Sequence, residues 1–259
     1  LGRKRLEGRA LLPHEFFLNL LLERLIRQKI QARLGGKLKY FISGGAALNP
    51  EIGSFFMALG VKLLQGYGQT EASPVISANR PGKIKIETVG PPVAGVEIRF
   101  ADDGEILVRG DLLMKGYWRD DHSTAATIRD GWLHTGDIGS CDDDGYITIT
   151  GRKKEIIVNS GGENIVPSRV EALLTIEPEI EQALVDGDRR PWLAAVIVPS
   201  AEARAAAASD EALKLLIAET VERANSRLSQ IERVRRFIIA DEGFTIENSQ
   251  LTATLKVRR

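Results

Sequence analysis

Residues 37–71 constrain the fold most. "KLKYFIS" reads as a strand, and "GGAALNPEI" leads into a helix through Ala58, with Asn49 as cap and Pro50 in its first turn. "VKLLQ" reads as a second strand that runs directly into "GYGQTE". A strand, a helix and a strand in that order predict an α/β sheet with parallel strands. Upstream, Leu18, Leu22, Leu25, Ile26, Ile30 and Leu34 recur at three- and four-residue spacing, and Gly35-Gly36 ends the pattern. That spacing predicts a helix over 15–34.

The texture changes near residue 86. "VEIRF", "GEILVRG" and "YITIT" read as short strands separated by the turns "ADDG" and "CDDDG", which makes a β-rich subdomain. It changes again at 155. "EIIV" reads as a strand, "PSRVEALLTI" as a short helix, and "ALVDGDRRPWLAAVIV" as two strands around a polar turn. Residues 209–230 predict a helix with Leu213, Leu216, Ile217, Val221, Ala224 and Leu228 on one face. "VRRFIIA" follows as a strand, and "EGFTIENSQLTATLKVRR" reads as a polar loop. The region after 155 is thus a compact α+β domain of its own. The alanine-rich "AEARAAAASDEA" reads as helix rather than linker.

Thirty-five basic residues balance 35 acidic ones, so no global field points to nucleic acid or to an anionic membrane. Residues 1–40 nevertheless hold ten Lys/Arg against three Asp/Glu, and residues 97–145 hold five against twelve. Solvated faces of opposite sign account for that. Cys141 is the only cysteine, which rules out a disulfide framework and fits a reducing cytoplasm. His14, His122 and His134 lack metal-ligand spacing. No apolar run approaches the ~20 residues of a membrane span.

Three stretches carry chemistry. In "QGYGQTE" two glycines flank Tyr67 at the end of a strand, where ligands of open α/β sheets bind. Tyr67 offers a flat face for a base, Thr70 a donor for a phosphate oxygen, and Glu71 a hard oxygen ligand for Mg²⁺. The same residues also suit a glycine-rich turn with a capping Thr and Glu. In "GWLHTGD", Asp137 follows a Thr-Gly turn and suits a sugar diol, although Thr-Gly-Asp is also a common surface turn. Lys256, in "LTATLKVRR", reads alone as a solvated lysine in a basic tail.

The ordered set "SGGAAL" (43–48), "GYGQTE" (66–71), "GWLHTGD" (131–137), "GRKKEIIVNSGGENI" (151–165) and a late lysine closely resembles the second half of the adenylate-forming enzymes. That superfamily contains acyl-CoA synthetases, luciferases and peptide-synthetase adenylation domains. The ending "LTATLKVRR" looks more like the long-chain fatty acyl-CoA synthetases. The resemblance implies the C-terminal part of a large adenylate-forming domain, α/β plus β-rich, over 1–152. It implies a hinge at 153–154 and a small mobile α+β C-terminal domain over 155–259.

By the same resemblance, Gly45 and Ala46 would line the adenine and acyl pocket, and Tyr67 would stack on adenine. Thr70 would touch the α-phosphate, and Glu71 would hold Mg²⁺. Asp137 would take the ribose hydroxyls, helped by Arg152. Lys154 falls at the hinge, and Gly162 would leave room for the pantetheine arm of coenzyme A. Lys256 would bridge the acyl carboxylate and the phosphate. The implied substrates are a fatty acid, ATP and coenzyme A, with AMP as a product.

The chain departs from the pattern in lacking the family's phosphate loop and in starting at Leu1. These departures predict a piece of a longer enzyme, missing its N-terminal half and inactive alone, with open sheet edges and a tendency to self-associate. Three alternatives stand beside the ligase reading. One is an acyl-AMP ligase that loads a carrier protein. Another is a non-catalytic adenylate-binding module. The third, which can coexist with a ligase, is peripheral contact with the inner membrane face through Arg24, Arg27, Lys29 and Arg33.

Overall fold

The computed structural model describes residues 12–46 and 48–259, so the basic stretch before residue 12 lies outside the described residues. The chain forms two compact units that part between Thr150 and Gly151.

The first unit opens with helix α1 (Pro13–Leu22), a π-helical turn (Glu23–Arg27) and helix α2 (Gln28–Arg33). Strand β1 (Phe41–Ser43), helix α3 (Pro50–Ala58) and strand β2 (Leu63–Tyr67) follow in the predicted order. β1 and β2 pair in parallel with Ser43 opposite Gln65, which sets their following loops at the same end of the sheet. The Asn49 side chain accepts from Glu51 N at 2.8 Å and caps α3 beside Pro50. The strand predicted over 37–43 shrinks to its last three residues, because β1 lies at the sheet edge and has one partner. Ile42 is 82% exposed there. β3 (Ser77–Ala78) runs antiparallel to β2 on the other side.

The β-rich region is a single five-stranded sheet. Strands β4 (Glu97–Phe100), β5 (Glu105–Arg109), β6 (Ile128–Arg129) and β7 (Trp132–Cys141) lie in the order β4-β5-β7-β6, with β8 (Ile147–Arg152) also on β7. Helix α4 (Asp121–Thr127) precedes β6. Alternate residues of these strands meet in one core of Ile106, Val108, Leu133 and Ile147, joined by Tyr67, Ala72 and Ile76 from the β2 side. The core thus fixes the end of β2 against this sheet.

In the second unit, a small hairpin pairs β9 (Ile157–Val158) with β10 (Asn164–Ile165). Helix α5 (Pro167–Leu174) follows, then the sheet β11 (Ile180–Asp186), β12 (Leu193–Pro199) and β13 (Val234–Ile239). Between β12 and β13 lie α6 (Ala201–Ala206) and α7 (Asp210–Asn225). The alanine-rich segment is therefore helical over α6. The helix predicted to reach 230 stops at Asn225, whose buried side chain turns to β13: it accepts from Val234 N at 2.9 Å and donates to Val234 O at 3.0 Å. One sheet face packs on α5 and α7 through Leu174, Val185, Ile197, Ile217 and Val221. The other face is covered by the tail, through Phe244 and Leu251 against Val198.

That tail is more ordered than a polar loop. Lys256 N donates to Thr252 Oγ1 at 3.1 Å, Thr252 N to Lys256 O at 2.8 Å, and Leu251 bridges to Val257. Arg259 then donates to both Glu171 oxygens at 2.6 Å and to Val185 O at 2.9 Å.

Candidate active site

Tyr67, the last residue of β2, is 8% exposed. Its phenol donates to Asp137 Oδ2 at 2.6 Å, a short charge-assisted bond between two motifs 70 residues apart. The sequence reading gave Tyr67 a ring for adenine and Asp137 a place on ribose. The structure joins the two side chains and holds each by the other.

Asp137 is 4% exposed and does not sit on a surface turn. Thr135 and Gly136 are part of β7 itself. Leu107 pairs with His134, yet Glu105 pairs with Ile138, so two steps along β5 correspond to four along β7. The surplus forms a bulge in which Gly136 takes φ +71°, a conformation that favours glycine. Thr135 Oγ1 donates to Ile106 O at 2.7 Å and accepts from Asp137 N at 3.1 Å. Glu105 Oε1 accepts from Gly136 N at 3.0 Å, and its Oε2 lies 3.4 Å from His134 Nδ1.

The two glycines around Tyr67 serve packing inside the protein. A Cβ on Gly68 would sit 1.7 Å from Pro74 O, and one on Gly66 would sit 3.3 Å from Ser77 O. Thr70 and Glu71 lie in the 3₁₀ turn Thr70–Ala72, closed by Ser73 in the left-handed region at φ +46°. The Glu71 carboxylate is exposed and accepts from the Tyr117 hydroxyl at 2.8 Å, while Met114 N donates to Glu71 O at 2.9 Å. Burial, and then the Glu71 carboxylate, push the Tyr117 phenol up, so it stays a donor.

Gly45 and Ala46 lie exposed after β1, at the same end of the parallel pair as Tyr67 and Thr70. Gly45 adopts φ +84°, and a Cβ there would meet nothing within 4 Å. Of the expected site residues, the first unit therefore brings together Tyr67 and Asp137 directly. Thr70 and Glu71 follow on the same loop, and Gly45 and Ala46 lie on the neighbouring one. Sequence reasoning missed Tyr117, Glu105 and Thr135. Tyr117, next to Gly116 in "KGYWRD", carries no spacing signal that points to Glu71.

The remaining expected residues belong to the second unit. Arg152 closes β8, and Lys154 lies in the turn where Glu155 N donates to Arg152 O at 2.9 Å. Gly162, at φ +82°, lies in the β9–β10 turn, where the Asn159 side chain accepts from Gly161 N and Glu163 N, both at 2.9 Å. Nothing lies within 4 Å of a Cβ at Gly162, so the glycine meets a backbone requirement before any need for room. Lys256 is exposed on its closed turn. Arg27, expected among the membrane-facing cations, points inward instead. It is 4% exposed, and its Nε donates to Ala58 O at 2.8 Å. Arg24, Lys29 and Arg33 are exposed.

Among the described residues no group of three or more His, Cys, Asp or Glu could enclose a metal ion. A lone exposed carboxylate such as Glu71 still fits Mg²⁺, which binds through one or two carboxylates plus substrate phosphates. No helix among the described residues is long and apolar enough to cross a membrane.

Comparison with known proteins shows the family. Residues 14–118 match the AMP-binding enzyme family, and residues 154–256 match the AMP-binding enzyme C-terminal domain. The chain is 42% identical over 252 residues to long-chain-fatty-acid–CoA ligase FadD15 of Mycobacterium bovis and of Mycobacterium tuberculosis, across 92% of this chain and 42% of each relative. It is 33% identical to long-chain-fatty-acid–CoA ligase 5 of Rattus norvegicus, across 93% of this chain and 40% of that protein. The chain thus spans about two fifths of the length of these relatives. Among solved structures, the adenylation domain of a carboxylic acid reductase from Segniliparus rugosus, in complex with AMP and a co-purified carboxylic acid, matches at TM-score 0.76. That pair is 27% identical and covers 99% of this chain and 41% of the other. O-succinylbenzoate coenzyme A synthetase from Bacillus subtilis, in complex with AMP, matches at TM-score 0.68 and 26% identity, across 89% of this chain and 48% of that one. With both matched stretches falling on the two units that carry these motifs, the chain belongs to the AMP-binding, adenylate-forming enzymes.

Proposed function

We propose that these residues are the C-terminal part of a long-chain fatty acid–CoA ligase. The enzyme joins a fatty acid to ATP, giving acyl-AMP and pyrophosphate. The thiol of coenzyme A then attacks the acyl carbon, and AMP leaves. The observation that carries this reading is the bond from Tyr67 to Asp137, with Glu71 four residues further along the same loop. It supports a reading in which Tyr67 faces the base, Asp137 takes the ribose diol and Glu71 holds the metal. The 42% identity to long-chain-fatty-acid–CoA ligases supports the choice of acid.

The roles follow from charge. A fatty carboxylate is already ionised, so its attack on the α-phosphate needs no general base. It needs cations, because a carboxylate must meet a polyphosphate. Lys256 supplies one, presented on its closed turn. Glu71 would hold Mg²⁺, which when bound would supply further positive charge for the phosphates. Tyr117 holds the Glu71 carboxylate in place. Thr70 donates to the α-phosphate, Asp137 and Arg152 take the ribose, and Gly45 and Ala46 line the adenine and acyl pocket. The domain over 155–259 turns about Lys154 between the two half-reactions, with the Gly162 turn serving the thiol step.

The test uses the full-length enzyme. Pyrophosphate release from ATP is measured across fatty acids of increasing length, with and without coenzyme A. Release that needs a long-chain acid, with acyl-CoA formed once coenzyme A is present, is the expected result. Release without acyl-CoA would move the protein to carrier loading, a reading favoured by its likeness to a carboxylic acid reductase didomain. No release with any acid would leave only an adenylate-binding module.

A further inference from the structure

Glu105 is a buried carboxylate that the reaction above does not use. It is 6% exposed, and it stands on β5 where that strand faces the β7 bulge. Its two oxygens reach both sides of the bulge. Oε1 takes the amide of Gly136 at 3.0 Å, and Oε2 lies 3.4 Å from the His134 ring nitrogen. A bulge leaves backbone amides without ladder partners, and a buried amide needs an acceptor. Gly136 N has one in Glu105. The next residue is Asp137, whose own amide is taken by Thr135 Oγ1 and whose carboxylate receives the Tyr67 phenol. The Gly136 peptide is therefore the last link between the bulge and the Asp137 carboxylate, and Glu105 holds it.

Neither hydrophobic packing nor strand pairing explains the choice of glutamate. Glu105 sits between Gly104 and Ile106 in a strand whose neighbours Ile106 and Val108 are fully buried. A carboxylate taken out of water is costly unless its oxygens are satisfied, and here Gly136 N of the bulge and the His134 ring beside it face those oxygens.

We infer that Glu105 is a positioning residue for the nucleotide site: it braces the β7 bulge and so sets where the Asp137 carboxylate points. This rests on the reading of Asp137 as the ribose acceptor. A brace of this kind acts on the nucleotide and leaves the acid site alone.

The experiment compares Glu105→Asp, Glu105→Ala and Glu105→Gln in the full-length enzyme. Its readouts are KM for ATP, KM for palmitate, and the affinity for AMP by calorimetry. Aspartate keeps the charge but is one methylene too short to reach both sides of the bulge. Glutamine keeps the length and an oxygen for Gly136 N. The Asp and Ala variants are expected to raise KM for ATP and weaken AMP binding by about tenfold, the effect of one lost charge-assisted hydrogen bond. KM for palmitate should stay within about twofold, and Gln should restore most of the loss. Should the Ala variant not fold, the Asp and Gln pair gives the same comparison. Folded Asp and Ala variants with parent-like KM for ATP would overturn the inference, as would equal losses for ATP and palmitate. A parent that neither binds AMP nor releases pyrophosphate overturns the ligase reading and this inference with it, whereas an active parent with unaffected variants overturns this inference alone.

Discussion

Tyr67 holds two properties in one side chain, and a conservative change separates them. Tyr67→Phe keeps the ring and removes the donor to Asp137 at 2.6 Å. Losing one partner of a buried charged group costs about 1–3 kcal/mol. The variant should unfold at lower urea by that amount and show a raised KM for ATP. A variant with parent-like stability and KM would mean that the bond does not hold Asp137. Lys256→Ala tests the other unit. It should slow pyrophosphate release by about 10²-fold or more, as for loss of one transition-state charge partner. Conversion of supplied acyl-AMP to acyl-CoA should continue at the parent rate, and slowing of both steps would argue against a role confined to adenylation. Lys256 was legible as a candidate only through the family resemblance of its contiguous motif. The Tyr67–Asp137 bond was not, since nothing in a sequence says that two residues 70 apart share a proton.

At the scale of elements, the second unit relies on polar groups that replace backbone partners. Asn225 ends α7 and closes both Val234 backbone groups with one amide. Asn225→Ala should destabilise the protein by about 1–3 kcal/mol, read from denaturant midpoints, because two buried backbone groups lose their partner. Glu171 gives a pH signature. Burial raises its pKa above the ordinary carboxylate value, and Arg259 only partly opposes this. The folded state therefore holds that proton more firmly than the unfolded chain. Its contribution to stability is present below the unfolded pKa and is lost as pH rises through the folded one. As pH rises from the ordinary carboxylate value through the raised pKa of Glu171, the parent should lose stability relative to Glu171→Gln, after the constant offset from the weakened Arg259 contact is removed. A flat difference across that range would sink the assignment. The helix and strand periods announced these elements. The stop of α7 at Asn225 was hidden, because Leu228 continues the apolar face while the asparagine is claimed by a strand that forms nine residues later.

For the whole molecule, the first unit exposes large apolar side chains on its helices and at its sheet edge. Phe17 is 69% exposed, Phe55 60% and Ile42 82%. Faces of that kind favour association. The 259 residues by themselves should sediment as more than a monomer, and should form no acyl-CoA from fatty acid, ATP and coenzyme A. A monodisperse monomer by light scattering would count against the first expectation, and measurable acyl-CoA against the second.

The sequence by itself determined the order of elements, the α/β start, the β-rich middle and the α+β end. It also singled out the Tyr67, Glu71, Asp137 and Lys256 motifs. The elements follow from periodicity and glycine punctuation, which act over a few residues, and the motifs from side-chain chemistry, except that Lys256 stands out only through the family resemblance. Only the tertiary structure decided that Thr135-Gly136 is a strand bulge and not a turn, and that Tyr67 is tied to Asp137. It alone showed that Tyr117 meets Glu71, that Glu105 stands behind the bulge, and that Arg27 faces inward. Each of these depends on the register between segments far apart in the chain. A shift of two residues along β7 would send Asp137 elsewhere without changing a single letter of its local motif.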